Sequence, residues 1–134
     1  MRFEYTQKVL FKHCDPAGIV FYPRYFEMVN DCVEAFFYEI GLPFEDIHKT
    51  HAVPTAEIST TFHNPSRHGE TLIIAVEVSR IGGASLSLSF DATCGDTSKF
   101  SATSTLVYVD GTGRPQKWSD PARDAFSPYL RSST

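Results

Sequence analysis

Three side chains capable of chemistry stand side by side near the start of the chain, in HCDPAGIVFYPRYF over residues 13–26. A metal centre would need His13, Cys14 and Asp15 to converge on one ion. Adjacent residues on a strand or tight loop point apart, and no second His/Cys group has ligand spacing. A thiol nucleophile at Cys14 would need a base and an orienting group, and its neighbour His13 falls on the opposite face. The third option is a lone carboxylate, Asp15, held in front of a helix N-terminus, where unpaired N–H groups and the positive end of the dipole attract negative charge. The same Asp-Pro pair is ordinarily a turn or capping device. Cys14, Cys32 and Cys94 read as free thiols and packing groups, since three cysteines with no CxxC pair suit a reducing compartment.

The elements around this cluster follow from hydrophobic period. Phe3, Tyr5, Val9 and Phe11 recur at even spacing, which predicts a half-buried strand over residues 2–12. From Pro23 the period changes: Phe26, Val29, Val33 and Phe37 form one stripe, widened by Tyr25, Met28, Cys32, Phe36 and Ile40. Glu27, Asn30, Asp31, Glu34 and Tyr38 fall opposite, the pattern of an amphipathic helix with a broad buried face. Pro23 suits the first helical position, and Gly41 with Pro43 supplies the stop. A short helix or turn over 43–50 is followed by period-two segments: 56–62, a nearly all-apolar 71–81 that reads as central and covered on both faces, 84–94 and 99–110. The turns NPSRHGE, IGGAS, GDTS and DGTGRP separate or close them. Ser119 or Asp120, with Pro121, starts a short tail helix.

The order strand, long helix, four antiparallel strands predicts an α+β fold in which about five strands wrap one central helix, as a single domain over residues 1–134. Sheet edges in such a fold are expected to pair in a dimer. The net charge of −4 and the scattered Lys and Arg argue against nucleic acid, although a small anion needs only two or three local cations. No signal-like segment opens the chain and no apolar run approaches the roughly 20 residues that span a bilayer, so a soluble cytoplasmic protein with no membrane partner is expected.

The segment DPAGIVFYPRYF, set between a first strand and a long helix, resembles the signature of the 4-hydroxybenzoyl-CoA thioesterase branch of the hotdog-fold superfamily. The resemblance implies a hotdog subunit, a homodimer or homotetramer as the active unit, hydrolysis of an acyl- or aroyl-CoA, and no metal or organic cofactor, coenzyme A being part of the substrate. By position it puts the catalytic carboxylate on Asp15 and the carbonyl-polarising backbone N–H on Tyr22, with Gly18 letting the chain turn and a ligand approach. Thioester hydrolysis needs such a pair: a nucleophile or base on one side of the carbonyl and a donor for the oxyanion on the other.

His13, Phe21, Tyr25, Thr60 and Phe62 are the candidates to line the cleft, and the rings favour an aromatic or short acyl group. His63 and Arg67, with Asn64, end a strand that runs near the cleft in hotdog proteins; a plain polar strand end is the competing reading. Arg80, Gly82, Gly83 and Ser85, in RIGGAS, resemble the region where related thioesterases meet the pantetheine and phosphates of CoA; a simple hairpin turn explains them equally well. Asp31 and Glu34 are read as a solvated stripe. Two other functions use the same frame, an acyl-thioester hydratase or dehydratase and a non-catalytic helix-grip ligand carrier.

Overall fold

The structure, a computed structural model, describes residues 1–131. Its elements are β1 (Phe3–Lys8), a 3-10 turn (Phe11–His13), α1 (Pro23–Glu39), α2 (Phe44–Ile47), β2 (His51–Ala52), β3 (Thr55–Phe62), β4 (Thr71–Ile81), β5 (Ser85–Cys94), β6 (Thr97–Val107), β7 (Val109–Asp110), α3 (Asp120–Phe126) and a second 3-10 turn (Ser127–Tyr129). Five strands form one antiparallel sheet in the order β1-β4-β5-β6-β3, and β2 pairs with β7 in a small separate ladder. Among the described residues no helix is long and apolar enough to cross a membrane.

The sheet curls around α1 in the hotdog arrangement. Tyr25, Met28, Val29, Cys32, Val33, Phe36 and Phe37 of the helix are buried against Leu72, Ile74 and Val76 of β4, Leu86, Leu88 and Phe90 of β5, and Phe100, Ala102 and Leu106 of β6. Phe26 and Ile40, at the margins of the expected stripe, are only half-buried. The helix begins at Pro23, where a missing N–H is harmless, and stops before Gly41, which takes a φ of +82° that a side chain would resist.

Three expectations change. β1 ends at Lys8 instead of continuing to residue 12, because Val9 is the last residue paired with the chain beside it: its N–H donates to Glu70 O and its carbonyl accepts from Gly69 N–H, whereas Leu10 already bonds forward to His13. Phe11 is therefore 79% exposed at the start of a 3-10 turn. β4 lies second in the sheet, and its outward residues Ile73 and Glu77 are only half-buried; the central strand is β5. β3 has the predicted alternation, with Ile58, Thr60 and Phe62 in register with inward-facing Ser104, Ala102 and Phe100, yet it is exposed over most of its length because it is an edge. The tail helix is capped as expected, Ser119 Oγ accepting from Ala122 N–H at 3.2 Å.

Candidate active site

Residues 13–21 fold back as a narrow hairpin leading into α1. Asp15 N–H donates to Ile19 O, Phe21 N–H donates to His13 O, and Cys14 bridges Val20. Gly18 N–H closes the tip on Asp15 O at 2.9 Å. Asp, Pro and Gly occupy turn positions 1, 2 and 4, which those residue types favour, and Gly18 has a φ of +82°. One carboxylate oxygen of Asp15, Oδ1, accepts the Ala17 N–H at 2.9 Å, an Asx turn that fixes the side chain; Oδ2 has no donor among the described residues. Asp15 lines an open groove of about 470 Å³ with Phe11, Cys14, Pro16, Gly18 and His68.

At the helix mouth the N–H groups are nearly all spent. Phe21 donates to His13 O, Pro23 has no N–H, Arg24 donates to Phe21 O, and Tyr25 donates to Tyr22 O. The Tyr22 N–H meets no acceptor among the described residues. It is the donor left over at the positive end of a 17-residue helix.

Tyr22 belongs to a second groove, of about 260 Å³, lined with Ile19, Val20, Tyr25, Phe62, His63, Asn64 and Pro65. Its wall is a chain of rings: Phe21 on Tyr22 (5.5 Å between centroids), Tyr22 on Phe62 (6.4 Å), Phe62 on Tyr25 (5.4 Å) and Tyr25 on Phe100 (5.0 Å). The hairpin is the partition between the two grooves, with Asp15 to Gly18 on one side and Ile19 and Val20 on the other.

The segment after β3 is built against this hairpin within the same chain. Val20 N–H donates to Ser66 O at 2.8 Å and Ile19 bridges Arg67. Lys99, 5% exposed, holds the segment from beneath: its ammonium donates to Pro65 O at 2.9 Å and pairs with Glu70 at 3.3 Å. Glu70 Oε1 in turn accepts the Arg67 N–H, which together with Lys99 holds its carboxyl below the usual range. Ser66 Oγ and Thr60 Oγ1 are buried without a partner among the described residues.

Other expected contacts lie elsewhere. His13 is 5% exposed and lines neither groove; its Nδ1 accepts the Leu10 N–H at 2.9 Å, and burial pushes its pKa down. The turn carrying Gly82, Gly83 and Ser85 stands at the far end of β4, roughly 30 Å along an extended strand from the hairpin. Its carbonyls are taken by the C-terminal segment: Gly82 O by Arg123, Gly83 O by Trp118 N–H, Ala84 O by Tyr108 N–H and Ser85 O by Trp118 Nε1–H. A Cβ on Gly82 would collide with Ser85 Oγ. Arg80 is exposed near that same end, in register with Ser87. These four residues are not brought to the helix mouth. Phe11 and His68, whose rings meet at 5.9 Å, join Asp15 in lining its groove; in the sequence Phe11 falls on the even spacing of Phe3, Tyr5 and Val9, which gives no sign of this place. Among the described residues no three His, Cys, Asp or Glu side chains converge on a possible metal position.

The family model described as the thioesterase-like superfamily matches residues 9–126, a span containing the hairpin, helix α1, strands β2 to β7 and helix α3. The chain belongs to the thioesterase-like superfamily. Among solved structures, this superfamily member resembles a gentisyl-coenzyme A thioesterase with 25% identity, over 93% of this chain and 99% of that one, with a TM-score of 0.84. It also resembles the 1,4-dihydroxy-2-naphthoyl-CoA thioesterase of Synechocystis (17% identity, 95% and 96% covered, TM-score 0.88) and the dynemicin thioesterase (18% identity, 99% and 100% covered, TM-score 0.92). The last two likenesses are of fold alone. Sequence comparison with curated proteins yields no significant match.

Proposed function

We propose that the protein hydrolyses an aroyl- or short acyl-CoA thioester in the manner of the 4-hydroxybenzoyl-CoA thioesterase branch, with Asp15 as nucleophile or general base. The observation that carries the reading is the unspent Tyr22 N–H at the helix mouth, one hairpin away from a carboxylate with a free oxygen. That N–H receives the thioester oxygen as negative charge develops. The aromatic groove beside it takes the acyl group, and the rest of the thioester crosses the hairpin so that its carbonyl carbon is open to Asp15. Two of the resembled proteins are named for hydroxylated aroyl-CoA substrates, which supports an aromatic acyl group here. Coenzyme A enters as substrate, and the chemistry assigned to Asp15 and Tyr22 calls on no metal or organic cofactor.

The edge β3, free on one side and carrying Ile58 and Phe62 at 39% and 44% exposure, supports a homodimer that joins two sheets, and pairs of such dimers as tetramers. The segment 63–67 follows that edge strand directly and docks on its own chain's hairpin.

Asp15→Asn is the decisive variant, because the amide oxygen still accepts the Ala17 N–H and the turn survives while the charge is lost. Hydrolysis of benzoyl- and hydroxybenzoyl-CoA, followed by release of free CoA with a chelator present, should fall by at least about a hundredfold. A folded variant with wild-type turnover removes Asp15 from the chemistry, and a shifted double bond or added hydroxyl in the product points to the hydratase class.

A further inference from the structure

His63, at the end of β3, lines the aromatic groove with Tyr22 and is tied to the outer face of the sheet through a chain that crosses two more strands. Its Nε2 lies 3.0 Å from Ser101 Oγ on β6, and Ser101 Oγ donates to Asp91 Oδ1 on β5 at 3.0 Å. Register puts these groups together: Asp91 is the cross-strand partner of Ser101, and Thr61, two residues before His63, is its partner on the other side. A carboxylate accepts only, and a serine hydroxyl has one proton. Since that proton goes to Asp91, the proton between Ser101 and His63 must come from Nε2. The neutral His63 ring is thereby left with a bare Nδ1, which has no partner among the described residues. Asn64 beside it is turned the same way: its Nδ2 donates to Ser98 O at 2.8 Å, leaving its oxygen free.

From this we infer that Asp91 and Ser101 are positioning residues that fix His63 as its Nε2–H tautomer, so that Nδ1 accepts a hydrogen bond from a neutral O–H or N–H donor of the bound thioester. The donor is either a hydroxyl on the acyl group or an amide N–H of the pantetheine arm. The inference rests on the thioesterase reading for its ligand; the arrangement of protons is independent of it. The other charged side chain lining the outer cavity with Asp91 and Ser101 is Arg131, which makes no ion pair with Asp91.

Two measurements test it. Two-bond proton–nitrogen correlation of the imidazoles, at about pH 8.5, above the ordinary histidine range, should show His63 protonated on Nε2 alone, with Ser101→Ala moving both nitrogens toward tautomer-averaged shifts and Ser101→Thr restoring them. A wild-type proton on Nδ1, or shifts that Ser101→Ala leaves unmoved, overturns the inference. In turnover, His63→Phe should lower kcat/KM by about three- to tenfold, the equivalent of one neutral hydrogen bond. Ser101→Ala should give a smaller loss that disappears in the His63→Phe background, because it acts through His63. An equal Ser101→Ala loss in both backgrounds refutes the relay. A His63→Phe loss confined to 2- or 4-hydroxybenzoyl-CoA assigns the donor to the acyl hydroxyl; the same loss with benzoyl-CoA assigns it to the pantetheine amide; no loss with any of them overturns the groove contact. A protein that hydrolyses no thioester fails the functional reading, and the imidazole resonances still decide the proton arrangement.

Discussion

Lys99→Met tests whether the site is held up from below. The ammonium makes a charge-assisted bond to Pro65 O at 2.9 Å and a 3.3 Å pair with Glu70, from a position 5% exposed. Hydrogen bonds involving a charged group contribute about 1.5–3 kcal/mol each, and truncation also leaves the Pro65 carbonyl without its donor. Glu70 is less of a liability, since its side chain is 30% exposed and it keeps the Arg67 N–H. Methionine matches the stem of lysine and returns some apolar burial, so the net loss should be about 2–3 kcal/mol. For a chain of this size that lowers Tm by about 5–12 °C. The effect should also be local: the Val20 amide, bonded to Ser66 O, should exchange with solvent faster while amides in the middle of α1 change only with global stability. Thermal melts and residue-resolved hydrogen exchange measure both. A variant that melts within about 1 °C of wild type, with Val20 still protected, refutes the idea that Lys99 braces the segment against the hairpin.

His13 is buried with its pKa pushed down by that burial, so its neutral form is the one the fold prefers; stability should be full above the unfolded value near 6.5 and decline as pH falls through it, and His13→Gln should flatten that decline in urea titrations between about pH 7.5 and 5. Glu70 has the opposite linkage: its lowered pKa gives stability that is present above the unfolded carboxylate value and lost as pH falls through the folded one, so the advantage of wild type over Glu70→Gln should shrink steadily as pH falls below the unfolded glutamate value of about 4.3. Burial pushes the Cys32 thiol up to about 12, so a thiol reagent should titrate Cys14 and Cys94 in the native protein and Cys32 only after unfolding. Cys14→Ala should keep turnover, whereas a bulky adduct on Cys14 should lower it by filling the Asp15 groove; loss of activity in folded Cys14→Ala would make the thiol a participant.

Local signals were readable from the chain and non-local ones were not. The stripe of α1, its Pro23 start and Gly41 stop, and the Asp15–Gly18 turn are each written within a few consecutive residues, and the structure has all of them. The family resemblance located Tyr22, but only the tally of neighbouring N–H groups explains why its amide is the one left over. Lys99 with Glu70, and His63 with Ser101 and Asp91, depend on strand register across gaps of 29 and 38 residues, for which no periodicity carries a mark. Thr60 and Phe62 alternate as a half-buried strand should, yet burial also depends on what lies next to the strand, and β3 has a neighbour on one side only. RIGGAS was ambiguous for a related reason. Two glycines say that the chain turns, and only the pairing of its carbonyls with Tyr108, Trp118 and Arg123 says what the turn holds.

The strand order β1-β4-β5-β6-β3 also dictates a timetable for the nascent chain. Helix α1 is complete at Glu39, but the strands that cover its apolar face are β4, β5 and β6, the last ending at Val107. At about 5–20 residues per second, the roughly 70 residues in between keep that face waiting for some 4–14 seconds after the helix is made. β1 waits for β4, and β3 cannot take its place until β6 has left the ribosome. Chains cut short before Val107 therefore present an uncovered amphipathic helix and unpaired strand edges together, and they are the species that chaperones and proteases should meet.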